Sequence, residues 1–251
     1  MVYPLELLDV LKLREHLAST LSETNSWQAP HAAIEHDPLW IMLAAEPELP
    51  VESEPIWFTR LREAPQTVRW QSSDHSGFWR FRLRSKDTVL FEAHASLPQV
   101  VIPDAVRCRW PGEAIVLWEV NQGNSEGARC VAGLVQVLSP ECRAAAETRL
   151  AALSAEDQVT GFKAASCCLE LGLLDEALQR ARALLDQPTD SVLAALSHRL
   201  AAQTYFTMVQ TLQDRPGLQN ESHWAAALSQ WHLRAAYTLE TQTPLKPMAG
   251  R

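Results

Sequence analysis

The chain has 251 residues, 47% of them apolar and 21% charged, with a formal net charge of −8. That length accommodates one large hydrophobic core or two smaller ones. No apolar run approaches the ~20 residues of a membrane span, and Met1 to Val10 lacks the basic start of a signal peptide. The charge is also unevenly placed. Residues 1–66 hold 11 acids against 4 bases, 67–138 hold 7 against 8, and 139–251 hold 12 against 10. An acidic leader followed by near-neutral segments offers no field for phosphates, so nucleic acid and anionic membranes are not expected partners.

Residues 1–66 read as that leader. Leu5, Leu8, Leu11, Leu13, Leu17 and Leu21 recur at helical spacing. Six prolines from Pro30 to Pro65, interleaved with Glu46, Glu48, Glu52 and Glu54, favour extended chain over 22–66. Asp37-Pro38 has the chemistry of a helix start. Trp40 and Trp57-Phe58 stand out as apolar anchors, suited to docking on a partner or on the chain's own modules. His31 and His36 lack a third metal ligand nearby and read as surface residues.

From 67 to 138 the rhythm is that of strands. Trp79, Phe81 and Leu83 alternate with Arg80, Arg82 and Arg84, as in a strand with one buried face. Val89, Phe91 and Ala93 predict a second strand. Val100 and Ile102, between Pro98 and Pro103, suit an edge strand. Ile115 to Val120 is nearly all apolar and predicts a central strand covered on both faces. Cys130 to Val137 alternates again. These short strands at close spacing imply a small antiparallel β-sandwich. Arg80, Arg82 and Arg84 have three readings: a grip for an acidic ligand, a solvated face paired with Glu92 across the hairpin, or a dock for the acidic leader.

From 139 to 251 apolar residues recur every three to four positions. Ser139-Pro140 caps a first helix, Ser154 to Asp157 starts a second, and Gly172 ends it in a left-handed C-cap. A third helix runs from Leu174 to about Asp186, a fourth from Asp190 to about Gln213, and a fifth from Asn220 to about Glu240. Trp224, Ala227, Leu228, Trp231 and Ala235 are expected to line the buried stripe of the last. The five cysteines have no metal or redox spacing and read as free thiols acting as small core residues in a reducing, cytoplasmic setting. His223 and His232 lie nine apart and cannot chelate together.

Two resemblances follow from these residues. Val68-Arg69-Trp70, Gly77 to Leu83, Val89 to Ala93, and Pro111-Gly112 with Leu117 to Val120 resemble the fibronectin type III and immunoglobulin-like domains, whose aromatic residues fill an inter-sheet core. Such domains run nearer 100 residues, so either a strand is missing or Ile56 to Thr59 supplies it. Phe162 to Pro188, with Ala164, Ala165, Cys168, Leu171-Gly172, Asp175-Glu176-Ala177, Ala181 and Leu184, resembles one tetratricopeptide repeat, followed by a degenerate second unit. A sandwich before such helices, behind an acidic leader, is similar to bacterial envelope-stress or anti-sigma-type proteins.

The sequence therefore predicts an α+β multidomain chain: leader 1–66, fibronectin type III-like sandwich 67–138, and tetratricopeptide-like helical hairpins 139–251. No catalytic motif, cofactor signature or metal cluster is found in it. The function expected is a non-enzymatic protein–protein interaction or scaffold role, with a protein partner of unknown identity. Arg80, Arg82, Arg84, Trp40 and Trp57 are the candidate partner-binding residues. The alternatives are a regulator whose leader competes with a ligand for the arginine face, or an enzyme of unrecognised type.

Overall fold

In the computed structural model, two sheets occupy residues 53–137 and five helices follow, an α+β architecture. The structure describes residues 53–71, 78–123, 129–153, 157–187 and 191–242, which all fall within one compact unit. The helix expected over 5–21, the start at Asp37-Pro38, and Trp40 lie outside the described residues.

The strands are β1 (Ser53–Glu54), β2 (Phe58–Leu61), β3 (Thr67–Trp70), β4 (Trp79–Ser85), β5 (Thr88–Ala95), β6 (Gln99–Val101), β7 (Ile115–Gln122) and β8 (Arg129–Val137). A one-turn helix, α1 (Asp104–Arg107), separates β6 from β7. The smaller sheet has the order β1-β3-β6 and the larger β2-β8-β7-β4-β5. In β4 the apolar side chains Trp79, Phe81 and Leu83 are buried while the arginines between them are only partly so. Trp70 of the small sheet meets Trp79 edge-on at 6.0 Å and stacks on Phe81 at 6.5 Å, so aromatic rings join the two sheets.

The strands of 67–138 pair with one another antiparallel, as expected. β2, from the segment read as leader, adds a parallel edge to β8, with Phe58 opposite Leu134 and Leu61 opposite Val137. One expectation needs correction: the strand covered on both faces is not β7, where Ile115 is exposed and Leu117 and Glu119 are half-buried. It is β8, in which every residue from Val131 to Val135 is buried. Gly133 is required there, because a Cβ at that position would stand 2.7 Å from the Trp118 ring.

The helices are α2 (Pro140–Ala151), α3 (Gln158–Glu170), α4 (Leu174–Leu185), α5 (Ser191–Leu212) and α6 (Gln219–Gln242). Ser139 caps α2 by accepting the Cys142 N–H. Asp157 caps α3 by accepting the Thr160 N–H at 2.9 Å. Gly172 follows α3 with φ +74°, the left-handed region its lack of a side chain permits. The buried face of α6 is rotated from the expected stripe. It consists of Glu221, Ser222, Ala225, Leu228, Ser229, His232 and Ala236, while Trp224 and Trp231 are half-buried at its margin.

Strands and helices are joined by more than the Leu138–Ser139 link. Leu138 packs with Leu150, Leu169 and Leu171 around Cys168, Leu173 and Ala177. The Arg60 N–H donates to the Gly172 carbonyl at 2.9 Å, and Trp57 packs against Trp224 with ring centroids 5.6 Å apart.

Candidate binding cleft at the sheet–helix junction

The parallel edge strand β2 carries the junction. Its Thr59 is fully buried, and the Thr59 hydroxyl accepts the Asp175 backbone N–H at 3.1 Å. That N–H belongs to the first turn of α4, where backbone donors have no partner within the helix. Arg62, just beyond β2, donates from Nε and Nη2 to both carboxylate oxygens of Glu176, at 2.8 and 2.9 Å. A planar guanidinium meeting a carboxylate in this two-pronged way fixes orientation as well as distance.

Beside these contacts opens a cleft of about 490 Å³. Its charged lining is Glu54, Glu63, Glu147, Asp175 and Glu176 against Arg62 and Arg69, an excess of three acids; Leu61, Pro55 and Pro65 supply apolar wall. Glu176 is held by Arg62. Arg69 reaches Glu54 only at 3.6 Å between exposed side chains, and Arg143 meets Glu63 at 3.3 Å in a similarly exposed pair. Such exposed pairs hold weakly.

Asp175 is the unusual group. Burial pushes its carboxyl up to about 6, the nearby Glu54 adds to the shift, and the Ile56 N–H and Arg182 only partly oppose it. A carboxyl in this state gains from any cation brought into the cleft, because the charge would offset both burial and Glu54.

The structure places the sequence-derived candidates elsewhere. Arg80 donates to Glu92 from Nε at 2.8 Å and Nη2 at 3.1 Å, and Arg82 Nε donates to the same carboxylate at 2.8 Å. These bonds, Arg80's first, hold the Glu92 carboxyl below its usual range. Arg84 Nε is buried with no hydrogen bond among the described residues. Trp57 is buried against Trp224. The cleft acids escaped sequence reading. Asp175 and Glu176 stood out only as part of a helical-repeat pattern, and nothing local ties them to Thr59 or Arg62, more than a hundred residues earlier.

All five cysteines are free, but only Cys167 and Cys168 are buried as core residues; Cys130 is partly buried, and Cys108 and Cys142 are exposed. Burial pushes the Cys168 thiol up to about 11. Among the described residues no three His, Cys, Asp or Glu side chains are grouped to hold a metal ion. No helix among them is long and apolar enough to cross a membrane. No family model matches the chain, and its sequence matches no curated protein.

Proposed function

We propose that the chain is a non-enzymatic interaction or scaffold protein, that a fibronectin type III-like module is joined in it to tetratricopeptide-like hairpins, and that the cleft at their junction receives a basic segment of a protein partner. The observation that carries this reading is the lining: five carboxylates converge with two guanidiniums on a concave surface of about 490 Å³. A lysine or arginine entering there would meet unbalanced negative charge, and its aliphatic stem would lie along Leu61, Pro55 and Pro65. The arginine strand face supports partner binding less well, since Glu92 already bonds two of its three guanidiniums. Five free thiols suit a reducing, cytoplasmic setting.

The test is fluorescence anisotropy with labelled 12-residue peptides, one carrying four arginines and lysines and one with those positions changed to glutamine. The basic peptide should bind, weaken as salt rises, and lose at least about tenfold in affinity with Glu63→Lys and Glu147→Lys combined, as expected when attractive charges become repulsive. Equal binding of both peptides, or equal binding by the charge-reversed protein, would overturn the reading.

A further inference from the structure

His198 on α5 and His232 on α6 place their Nδ1 atoms 2.9 Å apart, between the two longest helices described. Tyr205 stacks on the His232 ring at 5.7 Å, and Trp231 stands edge-on to His198 at 5.6 Å. His232 is buried and His198 partly so. At this distance one ring carries its proton on Nδ1 and donates, and the other is the Nε2–H tautomer and accepts. A proton added to the donor ring enters at Nε2 and keeps the bond, but leaves a charge in a dry site. A second proton puts two N–H groups face to face and breaks it.

The charged groups around the pair give that extra charge no relief. From α4, Arg182 donates to the Tyr205 hydroxyl at 3.0 Å and adds positive charge beside His232. From α5, Arg199, next to His198, is held at 2.8 and 2.7 Å by the two oxygens of Glu240 on α6. Among the described residues, burial and then His198 and Arg182, both bases, shift His232, and burial alone shifts His198.

We propose that the His198–His232 contact is an acid-sensitive latch, which holds α6 against α5 while both rings are neutral and releases it as they take up protons. The release would reach the sheet, because the same helix carries Glu221, which binds the Ala132 N–H, and Trp224, which covers Trp57. The latch is independent of the cleft and of what binds there.

Burial lowers both rings from the ordinary imidazole value; for His232 the neighbouring His198 and Arg182 add to it, taking it to about 3. A released ring titrates near 6.5. The closed latch is therefore at full strength above about pH 6.5, and each unit below favours release by up to about tenfold per ring until the closed rings themselves protonate.

Hydrogen exchange over residues 219–242 at pH 7.5 and 5.0, corrected for intrinsic rates, tests this. Protection in the native chain should fall at least about tenfold at pH 5.0. The double variant His198→Asn with His232→Asn keeps a neutral donor and acceptor, and should change less than about threefold. Equal protection at both pH values in the native chain, or an equal loss in the variant, overturns the latch. Should the variant not fold, ring nitrogen resonances of the native protein decide. Opposite neutral tautomers that protonate only as α6 protection is lost support it. Rings that protonate near pH 6.5 with protection intact refute it.

Discussion

Glu221 Oε1 accepts the backbone N–H of Ala132 at 2.9 Å, and both residues are buried. β2 is in register with β8 only from Leu134 onward. The Ala132 N–H therefore lies just beyond the parallel ladder, and a side chain of the last helix occupies it. Strand edges must be paired or covered somewhere. Here a helix placed some ninety residues later does so, and thereby ties α6 to the sheet.

Removing this acceptor should be costly. Glu221→Leu leaves a buried N–H without a partner and is expected to lower stability by about 1–3 kcal/mol. Glu221→Gln keeps a carbonyl oxygen in reach and should cost less. Urea unfolding of the two variants against the native chain measures the difference.

Gly133→Ala should destabilise for a different reason. A methyl at this position meets the Trp118 indole at 2.7 Å, and overpacking of this kind costs about 1–3 kcal/mol. Trp118→Leu in the same chain makes room, so the double variant should be more stable than the sum of the single losses implies. Chemical unfolding of the four proteins provides the cycle.

The Arg62–Glu176 pair should couple the strands to the helices. Glu176 is 21% exposed and Arg62 38%, so solvent screens part of the attraction. A coupling of about 1 kcal/mol is expected from a double-mutant cycle with Arg62→Met and Glu176→Gln. Additive losses would mean that the contact, although well formed, contributes nothing to holding the two parts together.

Asp175 sets a pH dependence. Its carboxyl is raised to about 6 in the folded chain from an ordinary value of 3.8. Folding thus favours the protonated form. The associated stability is fully present below about pH 3.8 and is lost as pH rises through 6. Asp175→Asn should therefore be more stable than the native chain at pH 7.5, by about 1–3 kcal/mol, with the advantage vanishing towards pH 4. Over the same interval affinity for a basic peptide should move oppositely, rising as Asp175 ionises. Thermal unfolding and peptide titration across pH 4–7.5 check both signs. Histidine protonation adds a loss of stability below about pH 6.5, so the variant must be compared with the native chain at each pH.

What the sequence reveals depends on how local the cause is. The alternation from Trp79 to Arg84 identifies β4 because its two faces meet different surroundings. The caps at Ser139 and Asp157 and the turn at Gly172 follow from chemistry within three residues. β8 is harder to recognise as the doubly covered strand, since α6 reaches it only through the fold, by Glu221 on Ala132, and part of its core is alanine and glycine. The face of α6 was displaced in the apolar pattern because its buried side includes Glu221, Ser229 and His232. The cleft and the histidine pair have no sequence signature. Thr59 meets Asp175, and His198 meets His232, only after the chain has folded.

The junction cleft is tested most directly by backbone amide spectra recorded while the arginine- and lysine-bearing peptide is titrated at pH 7.5. Shifts should concentrate at Leu61, Arg62, Glu63, Glu147, Asp175 and Glu176, which line the cleft, and should be absent in the Glu63→Lys, Glu147→Lys protein. Shifts confined to the Arg80–Arg84 face, or none at peptide concentrations up to about 1 mM, where binding as weak as about −4 kcal/mol is visible, would contradict a basic partner segment at this site.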